Sequence, residues 1–150
     1  MLKTRRVFLS VLALMLIIST LTAGCQANHE TEEPSLAMVP LHQMPDYVQK
    51  APLRTQEAYQ FAAANPEVTS QVPCYCGCNT IGHKNSYDCY VDEVDASGAI
   101  TYDMHAVGCQ ICADITQDTM RLLQEGRSTA EIRAYVDSVY AKRGPSNMEE

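Results

Sequence analysis

The sequence predicts a mainly α-helical fold with a small β-hairpin, in which three helices surround a cysteine-rich loop. Apolar residues recur at helical spacing in three segments of the chain. Between the first two segments, a short strand–turn–strand pattern adjoins a run of cysteines. Three short helices bury only a modest core, so we expect the cysteine site to stabilise the rest of the fold.

The first helix is predicted over residues 52–65. Ala58, Phe61 and Ala62 fall on one face at helical spacing. Asn65 precedes Pro66, and the residue before a proline disfavours the helical conformation. The helix should therefore end there, and the following residues should lead the chain into the cysteine loop.

The β-hairpin is predicted directly after the loop. Residues 89–94 have the composition of a strand, residues 95–98 that of a turn, and residues 99–102 that of a returning strand.

Two further helices are predicted towards the C-terminal end. The first covers residues 111–125, with Gly126 as its C-terminal cap. The second opens on a capping box formed by Ser128 and Glu131. The residues expected to form the core on these helices are Ile115, Leu122, Ile132, Val136 and Val139.

The N-terminal residues 1–24 have the features of a lipoprotein signal peptide. Lys3, Arg5 and Arg6 are followed by an apolar run and then by small residues before Cys25. Cys25 is the predicted lipidation site, which would anchor the protein to a membrane without a spanning helix. The pattern leaves the general secretory and the twin-arginine export routes open.

The predicted organisation after the signal peptide has three parts. Residues 25–50 are expected to form a flexible tether, residues 51–144 a cysteine-rich domain, and residues 145–150 a tail. Residues 25–150 hold all eighteen acidic residues but only eight of the eleven basic ones, giving a formal net charge of −10. This charge argues against nucleic-acid binding.

Six cysteines and two histidines lie within about forty residues and are the candidate site. Alternate residues of an extended chain point the same way, so three of the thiols can face one point. The whole candidate set is Cys74, Cys76, Cys78, Cys89, Cys109 and Cys112, with His83 and His105.

The residue types admit three interpretations. The cluster can be a metal site, a set of structural disulfides, or a thiol redox centre. Disulfide geometry tolerates little misplacement, and three bridges leaving the loop would need three crowded partners. Sulfur ligands would select a soft ion, Cu(I) or Zn(II).

The chain resembles a bacterial lipoprotein family named for its PCYCGC motif. The resemblance covers residues 53–140, and its most specific part is Pro73 to Cys78. Other matching segments are Tyr59–Ala62, Gly82–Lys84, Asp88–Tyr90, Gly108–Cys112, Gly126–Ser128 and Glu131–Arg133. The family implies export and lipid anchoring on the outer face of the cell membrane, mainly in Gram-positive bacteria. It implies no activity and no catalytic residues.

Two classes of function follow from the sequence. The protein is either a membrane-anchored metal binder or carrier, or a structural or interaction lipoprotein held together by metal or disulfides. The sequence offers no hydrolytic triad, phosphate-binding loop or acid/base pair, so it does not predict an enzyme. A protein partner is not predicted.

Overall fold

A computed structural model of the chain describes residues 35–148. The helices are α1 (Asp46–Gln49), α2 (Leu53–Ala64), α3 (Pro66–Thr69), α4 (His105–Gly108), α5 (Gln110–Gln124) and α6 (Thr129–Tyr140). The strands are β1 (Val91–Val94) and β2 (Ile100–Tyr102). Short 3-10 turns cover Leu41–Gln43, Cys78–Ile81, Tyr87–Cys89 and Ala141–Arg143. The predicted fold class is confirmed: α2, α5 and α6 are the three long helices, and one hairpin accompanies them.

The core lies between the three long helices, with α5 packed against both α2 and α6. Tyr59 and Phe61 on α2 and Ile115 on α5 are completely buried. Ile132 and Val136 on α6 complete the apolar layer. Four of the five predicted core residues are buried, whereas Val139 is only partly buried at the edge of the core. The helical spacing of apolar residues therefore predicted which faces of these helices are buried.

Local sequence signals set the end of α5 and the start of α6. Gly126 has a φ of +77°, a left-handed conformation that ends α5 at little cost for glycine. Ser128 and Glu131 form the predicted capping box, each side chain accepting a hydrogen bond from the other's backbone N–H. The two helices are thereby joined by a short connection that lets their apolar faces meet.

The hairpin is antiparallel and irregular at one point. Val91 pairs with Tyr102 and Val94 with Ile100, and the register shifts between Val91 and Glu93. The Asp95 side chain accepts hydrogen bonds from the backbone of the turn that joins the strands. The chain then leaves β2 directly into the short helix α4, which begins at His105.

Packing extends beyond the predicted domain boundaries at residues 51 and 144. In the segment expected to be a tether, Met44 and Val48 are buried against the domain. In the segment expected to be a tail, Asn147 is only 7% exposed. These residues carry no strong periodic pattern, so the sequence did not distinguish them from linkers.

Within residues 35–148, no helix combines the length and the apolar character needed to cross a membrane.

Candidate metal centre

The cysteine loop is shaped by glycine and by one long-range hydrogen bond. Gly77 has a φ of +85°, which turns the chain between Cys76 and Cys78. The backbone N–H of Ser86 donates to the carbonyl of Val72 at 2.8 Å and closes the base of the loop. The predicted convergence of the three loop thiols is therefore achieved by a tight turn rather than by an extended strand alone.

The other thiols come from two different elements. Cys89 ends the short 3-10 turn before β1 and is fully buried. Cys109 occupies the N-cap position of α5, and Cys112 lies in the first turn of that helix. Three segments that are distant in sequence thus deliver their sulfurs to one place.

The sulfur atoms are in mutual contact. Cys74 Sγ lies 3.4 Å from Cys76 Sγ. Cys112 Sγ lies 3.7 Å from the Sγ atoms of both Cys74 and Cys76, so these three sulfurs form a nearly regular triangle. Cys78 Sγ and Cys89 Sγ are 3.6 Å apart. All six cysteines of the cluster are unbridged in the structure.

The cluster contains three overlapping groups of four ligands whose donor atoms all lie within 4.8 Å of one another. The first is Cys74, Cys76, Cys78 and Cys89. The second is Cys76, His105, Cys109 and Cys112. The third is Cys78, His83, Cys89 and His105. Every metal ligand proposed from the sequence therefore belongs to at least one group that could hold an ion.

Asp103, which the sequence did not single out, contacts the imidazole of His83 and the backbone of His105. His83 Nε2 lies 3.5 Å from one carboxylate oxygen of Asp103, and the backbone N–H of His105 donates to the other at 2.6 Å. The two rings meet edge to face, with centroids 5.2 Å apart. His83 Nδ1 is buried and makes no hydrogen bond among the described residues. A buried nitrogen without a partner is costly unless a ligand or ion satisfies it.

Asn147 is a second residue that sequence reasoning missed. Its side-chain oxygen accepts the backbone N–H of Cys74 at 2.7 Å, and its amide nitrogen donates to Cys78 Sγ at 3.4 Å. The same amide also donates to the carbonyl of Asn85. One side chain therefore fixes both ends of the Cys74–Cys78 loop. An asparagine in a short polar segment gives no signal by which the sequence could have identified this role.

Hydrogen bonds within the cluster shift the thiol pKa values in opposite directions. Cys109 and Cys112 lower the pKa of Cys76 by hydrogen bonding to its sulfur. The same network raises the pKa of Cys112, chiefly through Cys109 and Cys74, because Cys112 retains a donated proton. The pKa of Cys74 is lowered as well, chiefly by a hydrogen bond from Cys112. Cys74 and Cys76 are consequently sulfurs at which the thiolate, the form that binds soft ions, is favoured.

Two clefts lead from the surface to this cluster. A cleft of about 550 Å³ is lined by His83, Lys84 and Asn147, among others. A second cleft, of about 290 Å³, is lined by Cys109 together with residues at the starts of α2 and α5. Cys76 and Cys109 are partly exposed, whereas the other four cysteines are buried. Protein therefore encloses most of the cluster, but solvent can reach it at Cys76 and Cys109.

A family model described as "protein of unknown function with PCYCGC motif" matches residues 14–147. The chain belongs to this family. The resemblance seen in the sequence is thereby confirmed. No curated protein and no solved structure matches the chain.

In this PCYCGC protein, the family motif coincides with the turn at the centre of the cluster, Pro73 to Cys78. The predicted lipidation site, Cys25, lies outside the described residues.

Proposed function

We propose that this PCYCGC protein is a membrane-anchored, extracytoplasmic lipoprotein that binds a soft metal ion, Cu(I) or Zn(II), and acts as its binder or carrier. The observation that supports this function is the convergence of six unbridged sulfurs and two imidazoles within ligand distance. Buried thiols pack adequately as small apolar groups. An apolar core gives no reason, however, to gather six of them beside a histidine nitrogen that lacks a hydrogen bond.

The spacing of the sulfurs fits metal coordination. Four sulfurs about 2.3 Å from a tetrahedral ion lie about 3.8 Å from one another. The Sγ–Sγ distances of 3.4 to 3.7 Å are close to this value. Only small side-chain movements are needed for the thiolates to bind an ion.

The exposure of Cys76 and Cys109 favours a carrier over a permanently closed site. A partner or competing chelator takes a soft ion by replacing its ligands one at a time. This exchange needs at least one ligand that solvent can reach, and Cys109 lines an open cleft. The negative formal charge of residues 25–150 also attracts cations to the surface.

The metal-binding prediction is tested with Cys76→Ser. A loop sulfur whose pKa is lowered is replaced by a poor ligand for soft ions, so metal content and thermal stability should fall together. Elemental analysis of protein purified without chelator, combined with a free-thiol count, measures the outcome. Asn79→Ala is a matched control because Asn79 is exposed on the same loop.

Native mass spectrometry distinguishes the disulfide alternative. Oxidation to three bridges removes six hydrogen atoms, so the wild-type mass would lie below that of the reduced apo chain by that amount. That mass, found in metal-free protein, would contradict the proposed function. A carrier additionally requires that the ion leave under competition, so an ion retained against a strong Cu(I) or Zn(II) chelator would leave only a structural metal site.

The anchoring prediction is tested with Cys25→Ala. Removal of the lipidated thiol should give an unprocessed precursor, and the protein should move from the detergent phase to the aqueous phase on partitioning. The control is Cys109→Ser, which leaves the signal sequence intact. Wild-type protein found unmodified and in the aqueous phase would contradict lipid anchoring.

A further inference from the structure

We propose that the cluster divides into two separate metal sites. Resting on the proposed function, this inference assigns Zn(II) to an inner site formed by Cys78, His83, Cys89 and His105. The outer site, formed by Cys74, Cys76, Cys109 and Cys112, carries the exchangeable soft ion.

The number of ligands requires more than one ion. Structural zinc is almost always bound by four ligands, whereas the cluster offers eight. One ion on any four-ligand group would leave at least four sulfur or nitrogen donors beside it without a metal. Two ions, each with four ligands, use every donor once.

The inner site is supported by His83. Its Nε2 faces the carboxylate of Asp103 at 3.5 Å, and this acceptor favours the ring proton on Nε2. Nδ1 then carries the free lone pair, and it is buried without a hydrogen-bond partner. A carboxylate on the opposite nitrogen is the usual arrangement around a metal-bound histidine. His83 therefore binds through Nδ1.

The other three inner ligands lie beside the His83 ring. The donor atoms of Cys78, Cys89 and His105 lie within 4.8 Å of a ring nitrogen of His83 and of one another. Two thiolates and two imidazoles form a common tetrahedral zinc set. With one Zn(II), two thiolates and two neutral imidazoles, the formal charge is zero, which suits a site whose two cysteines are buried.

The remaining four cysteines form the outer site. Cys74, Cys76 and Cys112 make the sulfur triangle described above, with sides of 3.4, 3.7 and 3.7 Å. Cys109 belongs with Cys76 and Cys112 in a separate ligand group, so it adjoins one side of the triangle. A site of thiolates alone suits Cu(I) as well as Zn(II). It contains both partly exposed cysteines, so its ion exchanges first.

A competing arrangement shares Cys76 between two ions. One ion would take Cys74, Cys76, Cys78 and Cys89, and the other Cys76, His105, Cys109 and Cys112. His105 Nε2 lies 3.3 Å from Cys76 Sγ and would serve there. This arrangement, however, leaves His83 Nδ1 buried without any partner. The arrangement with two separate sites is the one that satisfies this nitrogen.

The test is the number of Zn(II) ions bound per chain under reducing conditions, measured by native mass spectrometry. Wild type should bind two ions. His83→Gln should bind one, because the inner site loses a ligand, and Cys109→Ser should keep the inner ion but release the outer one to a weaker chelator than wild type does. His42→Gln is the matched control, because His42 is exposed and outside every ligand group.

The outcomes separate this inference from the proposed function. One ion in wild type, or two ions retained by His83→Gln, would overturn the two-site division and leave metal binding intact. No ion in wild type would overturn both. If His83→Gln fails to fold, cadmium NMR of the wild-type protein decides: two resonances are expected, one of them coupled to His83 Nδ1. The absence of coupling to that nitrogen would overturn the inner site.

Discussion

At the scale of single residues, Asp103 connects the scaffold to the candidate metal centre. Its backbone N–H donates to the carbonyl of Tyr90, and its carbonyl accepts the hydroxyl of Tyr59 at 2.7 Å. Its carboxylate meets His83 on one side and the backbone of His105 on the other. Because both tyrosines are buried in the core, the two histidines are positioned by the best-packed part of the molecule.

Asp103→Asn should weaken Zn(II) binding by about 10- to 100-fold, because partners behind a metal-bound histidine orient its ring. The amide keeps the shape of the side chain but no longer favours a proton on His83 Nε2. A competition titration with a chromophoric chelator measures the change. Asp92→Asn, at an exposed position of β1, should leave affinity unchanged. Equal Zn(II) affinities for Asp103→Asn and Asp92→Asn would show that Asp103 does not position the histidines.

At the scale of secondary-structure elements, the long helices could be predicted and the short ones could not. The bounds of α2 and α5 fall within one residue of the predicted segments, and α6 begins directly after the predicted cap at Ser128. Helices α1, α3 and α4 have four residues each, and such short turns form only where tertiary contacts hold them.

The residues of the candidate metal centre could likewise be predicted only in part. The candidate ligands could be named because thiols and imidazoles are chemically distinctive. Asn147 and Asp103 could not, because their roles depend on where distant segments of the chain meet.

Val136→Asp tests the packing of α6. Val136 is completely buried, so the variant would place a carboxylate in apolar surroundings at a cost of several kcal/mol. Urea unfolding of the two proteins measures the difference. Ala134→Asp is the matched control, since Ala134 is exposed on the same helix. Similar unfolding midpoints for wild type and Val136→Asp would mean that this face of α6 does not pack against the core.

At the scale of the whole molecule, buried tyrosines make the fold sensitive to alkaline pH. Burial raises the pKa of Tyr59 and of Tyr90 well above 10. Above pH 10 the unfolded chain therefore loses phenolic protons that the folded chain keeps. The unfolded state then binds fewer protons, so the free energy of unfolding falls as pH rises.

Tyr59→Phe should make this decline shallower by about 1.4 kcal/mol per pH unit above pH 10, the contribution of one phenol. Urea unfolding of wild type and variant from pH 8 to 11 gives the two profiles. Ionisations common to both proteins cancel in the difference between their free energies of unfolding. This difference should be constant near pH 8, where Tyr59 keeps its proton in both the folded and the unfolded state. Profiles that stay parallel up to pH 11 would contradict the assignment.

The close spacing of Cys74, Cys76 and Cys78 has a consequence for assembly. These thiols remain neighbours when the chain is unfolded, whereas Cys112 lies 38 residues from Cys74 and Asn147 lies 73 residues away. The unfolded polypeptide can thus itself chelate an ion, and under the proposed two-site division an ion captured early is held by three ligands that belong to two different sites. Refolding before the ion is added, rather than after, should therefore give the higher yield of correctly loaded protein.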